Sequence, residues 1–307
     1  MNEIIKTRVM THLKDSGKSQ SKFSKELGVS TAMLSQYLSG NYVGNVETLE
    51  GKATEFFELL EKAASAIKAP GYVGTSVSSE VYSLINYCHV NRCMGLLIGH
   101  AGVGKTKGAI KYTNDYSEAI FLTATKACKT QKVIYKMIAR KLHINENRNM
   151  ADLEFSIREK LDGSNKIIII DEAQHLPVSA IDGIRCLNDE SPETELPPVG
   201  IVFIGNFDLW FKMNGKYEQQ YDQVRNRFRI KRFFSTSDIK IDDIRKLFSV
   251  YEEREMKKEL EYIHGIARSR WAVRGAMTVF VNASNNGDIS LKGLEAIAKY
   301  LGISVAD

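Results

Sequence analysis

An apolar run from Met94 to Ile98 breaks directly into Gly99-His100-Ala101-Gly102-Val103-Gly104-Lys105-Thr106, which matches G-x-x-x-x-G-K-[ST] at every fixed position. A triphosphate needs several backbone N–H donors converging on anionic oxygens. Only residues without a Cβ let the chain wrap that closely, and Gly99, Gly102 and Gly104 supply them. Lys105 then offers a point charge to the β- and γ-phosphates and Thr106 a hydroxyl to Mg²⁺. With Lys107 next in line, the helix opening there presents its positive dipole end. The expectation is a nucleotide-phosphate cradle between a strand and a helix, with ATP and Mg²⁺ as cofactors.

Downstream, Lys166-Ile167-Ile168-Ile169-Ile170-Asp171-Glu172 is a β-branched run ending in two carboxylates, the pattern of a Walker B strand. A strand apolar at every position is buried on both faces, as in a parallel sheet covered by helices, and such sheets bind ligands at the C-terminal ends of their strands. Asp171 is expected to hold the Mg²⁺ shell with Thr106, and Glu172 to orient and polarise the attacking water.

The chain's 307 residues are enough for two or three domains, and no segment approaches a membrane span. The start, Met-Asn-Glu-Ile-Ile-Lys, lacks a signal-peptide apolar core. Cys88, Cys93, Cys128 and Cys186 form no disulfide framework, and Cys88-His89 with Cys93 has the wrong spacing for a zinc knuckle, so a reducing cytoplasm is expected. The net charge of +5 is unevenly spread: Gln223 to Arg274 holds fourteen Lys/Arg against eight Asp/Glu, which suits a polyanionic partner or intersubunit arginines.

Residues 1–68 read as short helices, with apolar residues at Ile5, Val9 and Leu13, then Phe23 and Leu27, then Leu34 and Leu38, then Leu49, Ala53, Phe56 and Leu60. Ser19 and Ser30 stand as N-caps, and Gly28 and Gly40 as helix terminators. Gln20 to Gly40 resembles the helix-turn-helix of phage repressors. That resemblance sends the helix from about Thr31 to Leu38 into the major groove, with Thr31, Ala32, Ser35 and Gln36 toward the DNA, while Met33, Leu34, Leu38 or their neighbours pack inward. DNA contact with little sequence specificity is expected; the near-neutral charge of the region, nine basic and eight acidic residues, leaves a small helical bundle for protein contact as the alternative.

Residues 69–79 carry proline, glycine and serine without periodicity and read as a linker. Beyond them strands and helices alternate. Helices are expected near 80–89, 105–114, 130–142 and 152–161, and strands at 95–98, 119–123, 167–170 and 200–204. This predicts an α/β parallel sheet over 80–234, followed by a helical C-terminal part over 235–307.

Three further features carry a family resemblance. Ile201-Val202-Phe203-Ile204-Gly205-Asn206 is an apolar strand ending in Asn. Arg225-Asn226-Arg227-Phe228-Arg229-Ile230-Lys231-Arg232 holds five basic residues in eight, and Trp271-Ala272-Val273-Arg274 lies in the helical part. Together they resemble the sensor-1 strand, arginine finger and sensor-2 helix of AAA+ ATPases. The resemblance implies that Asn206 helps place the water, and that Arg227, or else Arg225, reaches the nucleotide of a neighbouring subunit. Arg274 would then contact the nucleotide from the lid.

The order helix-turn-helix, AAA+ core, helical lid is similar to the phage transposition ATPases of the Mu B type. It implies an ATP-dependent, largely non-specific binder of double-stranded DNA that forms a homo-oligomer, a helical filament or ring, on target DNA. Its ATPase would be DNA-stimulated and it would hand the DNA to a transposase. In such an assembly Lys126, Lys129, Thr130 and Lys132 are the expected DNA contacts, with Lys136 and Arg140 continuing the stripe. A helicase-loader-like ATPase and a nucleotide-switched transcriptional regulator are the alternative readings.

Overall fold

The computed structural model describes residues 2–65, 69–190, 199–215 and 218–305, and the chain divides into two compact units, Met1–Lys68 and Ala69–Asp307. Residues 66–68, where the N-terminal domain was expected to end, lie outside the described residues.

The first unit is all helical: α1 (Glu3–Ser16), α2 (Gln20–Glu26), α3 (Thr31–Ser39) and α4 (Val46–Ser65). Its punctuation follows the side chains. Ser19 Oγ accepts from the Lys22 N–H at the start of α2, and Ser30 Oγ from the Met33 N–H at the start of α3 (3.1 Å), satisfying donors a helix start leaves open. Gly28, at φ +64°, turns the chain between them in a conformation that a side chain disfavours, and Lys52 Nζ donates to its carbonyl at 2.7 Å. Val9, Phe23, Leu27, Leu34, Ala53 and Phe57 form the core. Tyr37 also packs inward, with its hydroxyl donating to Glu50 Oε1 at 3.0 Å, while Met33 and Leu38 are half-buried.

The second unit runs α5 (Ser76–Val90), β1 (Met94–Gly99), α6 (Lys105–Asp115), β2 (Ala119–Thr123), α7 (Gln131–Lys141), α8 (Met150–Leu161), β3 (Ile167–Asp171), α9 (Val178–Cys186), β4 (Gly200–Gly205), α10 (Phe207–Asn214), α11 (Glu218–Arg227) and β5 (Phe228–Phe234). Five further helices close it: α12 (Ile241–Leu247), α13 (Ser249–Glu253), α14 (Lys257–Arg268), α15 (Ala272–Asn285) and α16 (Leu291–Tyr300). The sheet is parallel throughout, in the order β2-β3-β4-β1-β5.

Strand alternation divides the burial between two faces. Leu96, Ile98, Ile168, Ile170, Ile201 and Phe203 join one core with residues of α7, α8 and α9. Leu97, Ile167, Ile169, Val202 and Ile204 join a second core with α5, α6 and the C-terminal helices. The helical lid is thus built onto the face of the sheet that carries α6.

Two expectations shift. Residues 76–79, read as linker, are the first turn of α5: Thr75 caps it, and the buried Asp243 of α12 accepts from the Ser76 N–H (2.6 Å) and Oγ (3.0 Å). The arginine-rich stretch also hides a strand, since Phe228 and Phe234 are buried at its ends and it pairs with β1, which makes β5 the sheet edge. Charge at alternate positions masked its periodicity and blunts the exposed edge.

Candidate active site

The phosphate loop lies where the strand and helix patterns placed it, with β1 ending at Gly99 and α6 starting at Lys105. Gly102 (φ +81°) and Gly104 (φ +111°) hold left-handed backbone. A Cβ on Gly102 would also stand 3.0 Å from Cβ of Arg274 and 3.3 Å from Cβ of Ala272, so the lid packs directly on the loop. The His100 N–H bonds the Phe234 carbonyl (3.2 Å) and His100 Nδ1 accepts from the Thr236 N–H (3.3 Å), which ties the loop to the end of β5. Val103 is buried, whereas Ala101, Thr106 and Lys107 are exposed.

Lys105 is folded back: its Nζ donates to the carbonyls of Gly99 (2.7 Å) and His100 (2.8 Å). Burial lowers its pKa to about 8 against the opposing pull of Asp171 and Glu172, and the nearby Arg274 guanidinium adds to the lowering. Arg274, though far in sequence, therefore shares the electrostatic field of the loop. Thr106 Oγ1 donates to Asp171 Oδ2 at 2.7 Å. Asp171 also accepts from the Glu172 N–H at 2.9 Å, and desolvation raises its pKa despite both bonds.

A hydroxyl and a carboxylate in contact fit Mg²⁺, which takes one or two protein ligands and fills its remaining positions from phosphates and water. Among the described residues no group of three His, Cys, Asp or Glu could hold a metal by itself, so a cation here depends on the nucleotide. When bound, it neutralises the β- and γ-phosphate oxygens.

Glu172 follows at the end of β3 in left-handed backbone, φ +56°, uncommon for a residue with a side chain. Its carboxylate accepts from Nε2 of Gln174, a residue that no sequence motif singles out. Asn206 sits at the end of β4, one residue beyond the Ile98–Gly205 pair, but its side chain is engaged: Oδ1 accepts from the Asp208 N–H (3.0 Å) and Nδ2 donates to Asp208 Oδ2 (2.9 Å). It caps α10.

Arg225 and Arg227 are not brought to this site. They end α11, immediately before Phe228, which pairs with Met94 at the opposite end of β1 from Gly99. At ~3.3 Å per residue the five steps between them amount to about 17 Å. Arg225 is held by Glu218 (2.8 Å), Asp222 (2.8 Å) and Asn214 (2.8 Å), whereas Arg227, 54% exposed, meets Asp189 at 3.5 Å.

Lys126, Lys129, Thr130 and Lys132 lie in the segment that leaves the end of β2 beside Asp171. Thr123 pairs with Asp171, the Ala124 N–H bonds the Asp171 carbonyl (2.8 Å), and the basic segment begins two residues later. All four are exposed, and no ion pair involves the three lysines among the described residues. Arg140, expected on the same stripe, is instead paired with Glu146, a contact that sequence spacing did not reveal. In the first unit Ser35 and Gln36 are exposed on α3, and the Thr31 hydroxyl is bonded to that of Ser24 (3.1 Å).

The AAA domain family matches residues 89–213. Over 271 residues the chain is 26% identical to the Mu-like prophage FluMu DNA transposition protein B of Haemophilus influenzae, covering 87% of this chain and 92% of that protein. It is 24% identical to the ATP-dependent target DNA activator B of Escherichia phage Mu over 250 residues, 81% of this chain and 78% of that one. In fold, the crystal structure of Cdc6p from Pyrobaculum aerophilum superposes with a TM-score of 0.54 at 16% identity, covering 76% of this chain and 71% of that one. No described helix is long and apolar enough to cross a membrane. Residues 89–213 thus match the AAA domain family, in a chain that is similar over most of its length to the B transposition proteins of Mu-type phages.

Proposed function

We propose that this protein is an ATP-dependent, largely sequence-non-specific DNA-binding ATPase that oligomerises on double-stranded target DNA and delivers that DNA to a transposase. The observation that carries the reading is the Thr106–Asp171 contact beside Lys105, with exposed lysines at 126, 129 and 132 in the segment that follows the strand end paired with Asp171. Similarity to proteins named for ATP-dependent target DNA activation supplies the biological setting.

In this reading Lys105 exchanges its two carbonyl partners for phosphate oxygens, Thr106 and Asp171 hold the Mg²⁺ shell, and Glu172 orients the attacking water. Arg227 of one subunit completes the site of another, since within its own chain it stands at the end of β1 opposite the phosphate loop. The helix-turn-helix of residues 1–68 adds contacts from Thr31, Ser35 and Gln36. Lysines provide charge without base readout, so binding is strongly salt-dependent and weakly sequence-dependent.

Electron microscopy of the full chain with ATP and random-sequence duplex tests this directly. Filaments or rings on the DNA are expected; discrete particles at a preferred sequence would favour a regulator, and absence of binding would sink the reading.

A further inference from the structure

We infer that Gln174 is the positioning residue of the hydrolytic site, holding the Glu172 carboxylate and linking it to the end of β4. This rests on the reading of Glu172 as the water-activating group.

The side-chain amide of Gln174 spans two partners of opposite kind. Its Nε2 donates to Glu172 Oε2, and its Oε1 accepts from the Asn206 N–H at 3.3 Å. A carboxylate only accepts and a backbone N–H only donates, so one orientation of the amide satisfies both and the flipped one satisfies neither. The link therefore has a sense: displacement of Asn206 is transmitted to one named oxygen of Glu172.

The mount of Gln174 is also fixed. It lies in the single 3-10 turn Ala173–His175 that follows Glu172, and Lys212 of α10 donates from Nζ to the carbonyls of Gln174 (3.1 Å) and Leu176 (2.8 Å). Burial lowers the pKa of that lysine. Asn206 caps the same helix, α10, that carries Lys212, so both ends of the Gln174 contact are anchored to one element. The close fit extends to Gly205, where a Cβ would stand 3.0 Å from Gln174 Oε1.

Glu172 itself is held in a backbone conformation costly for a residue with a side chain, which persists only where its surroundings over-determine it. Gln174 is one of those surroundings. A carboxylate that must direct a water needs one oxygen restrained and the other presented, and a neutral amide does this without adding a charge that competes for the phosphate.

The test is steady-state ATP hydrolysis by the full chain with DNA and Mg²⁺, in two variants. Gln174→Leu removes both bonds and is expected to lower kcat about 10²-fold, the scale of a displaced general base, while KM for ATP stays within about threefold. Gln174→Glu keeps the shape and the acceptor for Asn206 but loses the amide donor to Glu172 and puts a second carboxylate beside it, so kcat is expected to fall at least as far, again with KM for ATP within about threefold. A merely structural residue would not separate kcat from KM in this way. Wild-type kcat in either variant, or a KM that rises as much as kcat falls, overturns the inference. Glu172→Gln separates the two levels: its turning over at the normal rate would defeat the reading of Glu172, whereas an inactive Glu172→Gln beside a fully active Gln174→Leu would defeat only the role of Gln174.

Discussion

Thr106 and Asp171, 65 positions apart, are joined by a 2.7 Å hydrogen bond from hydroxyl to carboxylate. The hydroxyl satisfies one carboxylate oxygen and reduces the cost of burying it. Asp171→Asn keeps the size and loses the charge. Its expected signature is loss of the Mg²⁺-dependent part of ATP affinity, about tenfold or more by titration with and without Mg²⁺, while Mg²⁺-independent binding changes little. Equal Mg²⁺ enhancement in Asp171→Asn and the unchanged protein would refute the assignment.

Lys105 gives a pH dependence with a defined sign. Burial lowers its pKa to about 8. Phosphate oxygens favour the charged form, so the bound pKa is higher and binding takes up a proton above about pH 8. Affinity for ATP should therefore hold between pH 7 and 8 and fall up to tenfold per pH unit above that. Calorimetric titrations across pH 7 to 9.5 check this, and a flat profile would remove Lys105 as the titrating group.

Arg227 and Arg225 make different predictions because their partners differ. Arg225 is committed to two acids and an amide, whereas Arg227 has one looser partner, Asp189. Arg227→Ala is expected to lower kcat about 10³-fold with nucleotide affinity retained. Mixing it with Glu172→Gln protein should restore part of the activity, since one supplies the glutamate and the other the arginine. No recovery in the mixture would mean that Arg227 does not act across subunits.

Lys126, Lys129 and Lys132 should act on DNA through phosphate charge. Each Lys→Ala change is expected to reduce the slope of log affinity against log salt by about 0.9 and to weaken all duplex sequences alike. Slopes identical to wild type in the triple variant would exclude this segment from the DNA contact.

Gly108 tests how the core supports the site. It lies in α6 where a Cβ would collide with the Ser78 carbonyl oxygen and stand 3.0 Å from Cβ of Val81 in α5. Gly108→Ala improves helix propensity yet overpacks this crossing, so a net loss of about 1–3 kcal/mol is expected by denaturant unfolding. A gain in stability would show that α5 yields at no cost.

How much was legible depended on the range of the interaction. Gly99 to Thr106 could be read from eight neighbouring residues, because glycine conformations, strand end and helix start are local properties. The Ile167–Ile170 run announced a strand buried on both faces, and the structure buries every one of its side chains. Ser19, Gly28 and Ser30 fixed helix ends for the same local reason.

Other features were set by where distant backbone brings side chains together. Periodicity did not separate β5 from a basic cluster, since its burial comes from Phe228 and Phe234 meeting β1. Nor did residue type foretell that Asn206 would cap α10, that Glu146 would take Arg140, or that Asp243 would clamp Ser76. A lone Gln two residues past a carboxylate carries no signal until a fold places Asn206 opposite it.

The sequence by itself determined the phosphate loop, the carboxylate strand and the alternation that makes a parallel sheet, because each is encoded within one or two turns of chain. Only the tertiary structure decided which partners these groups meet. It set Arg274 against Gly102, kept Arg227 at the opposite end of β1 from the phosphate loop and put Gln174 between Glu172 and Asn206. The physical reason is that hydrogen bonds and charges act over a few ångströms in space, whatever the separation along the chain.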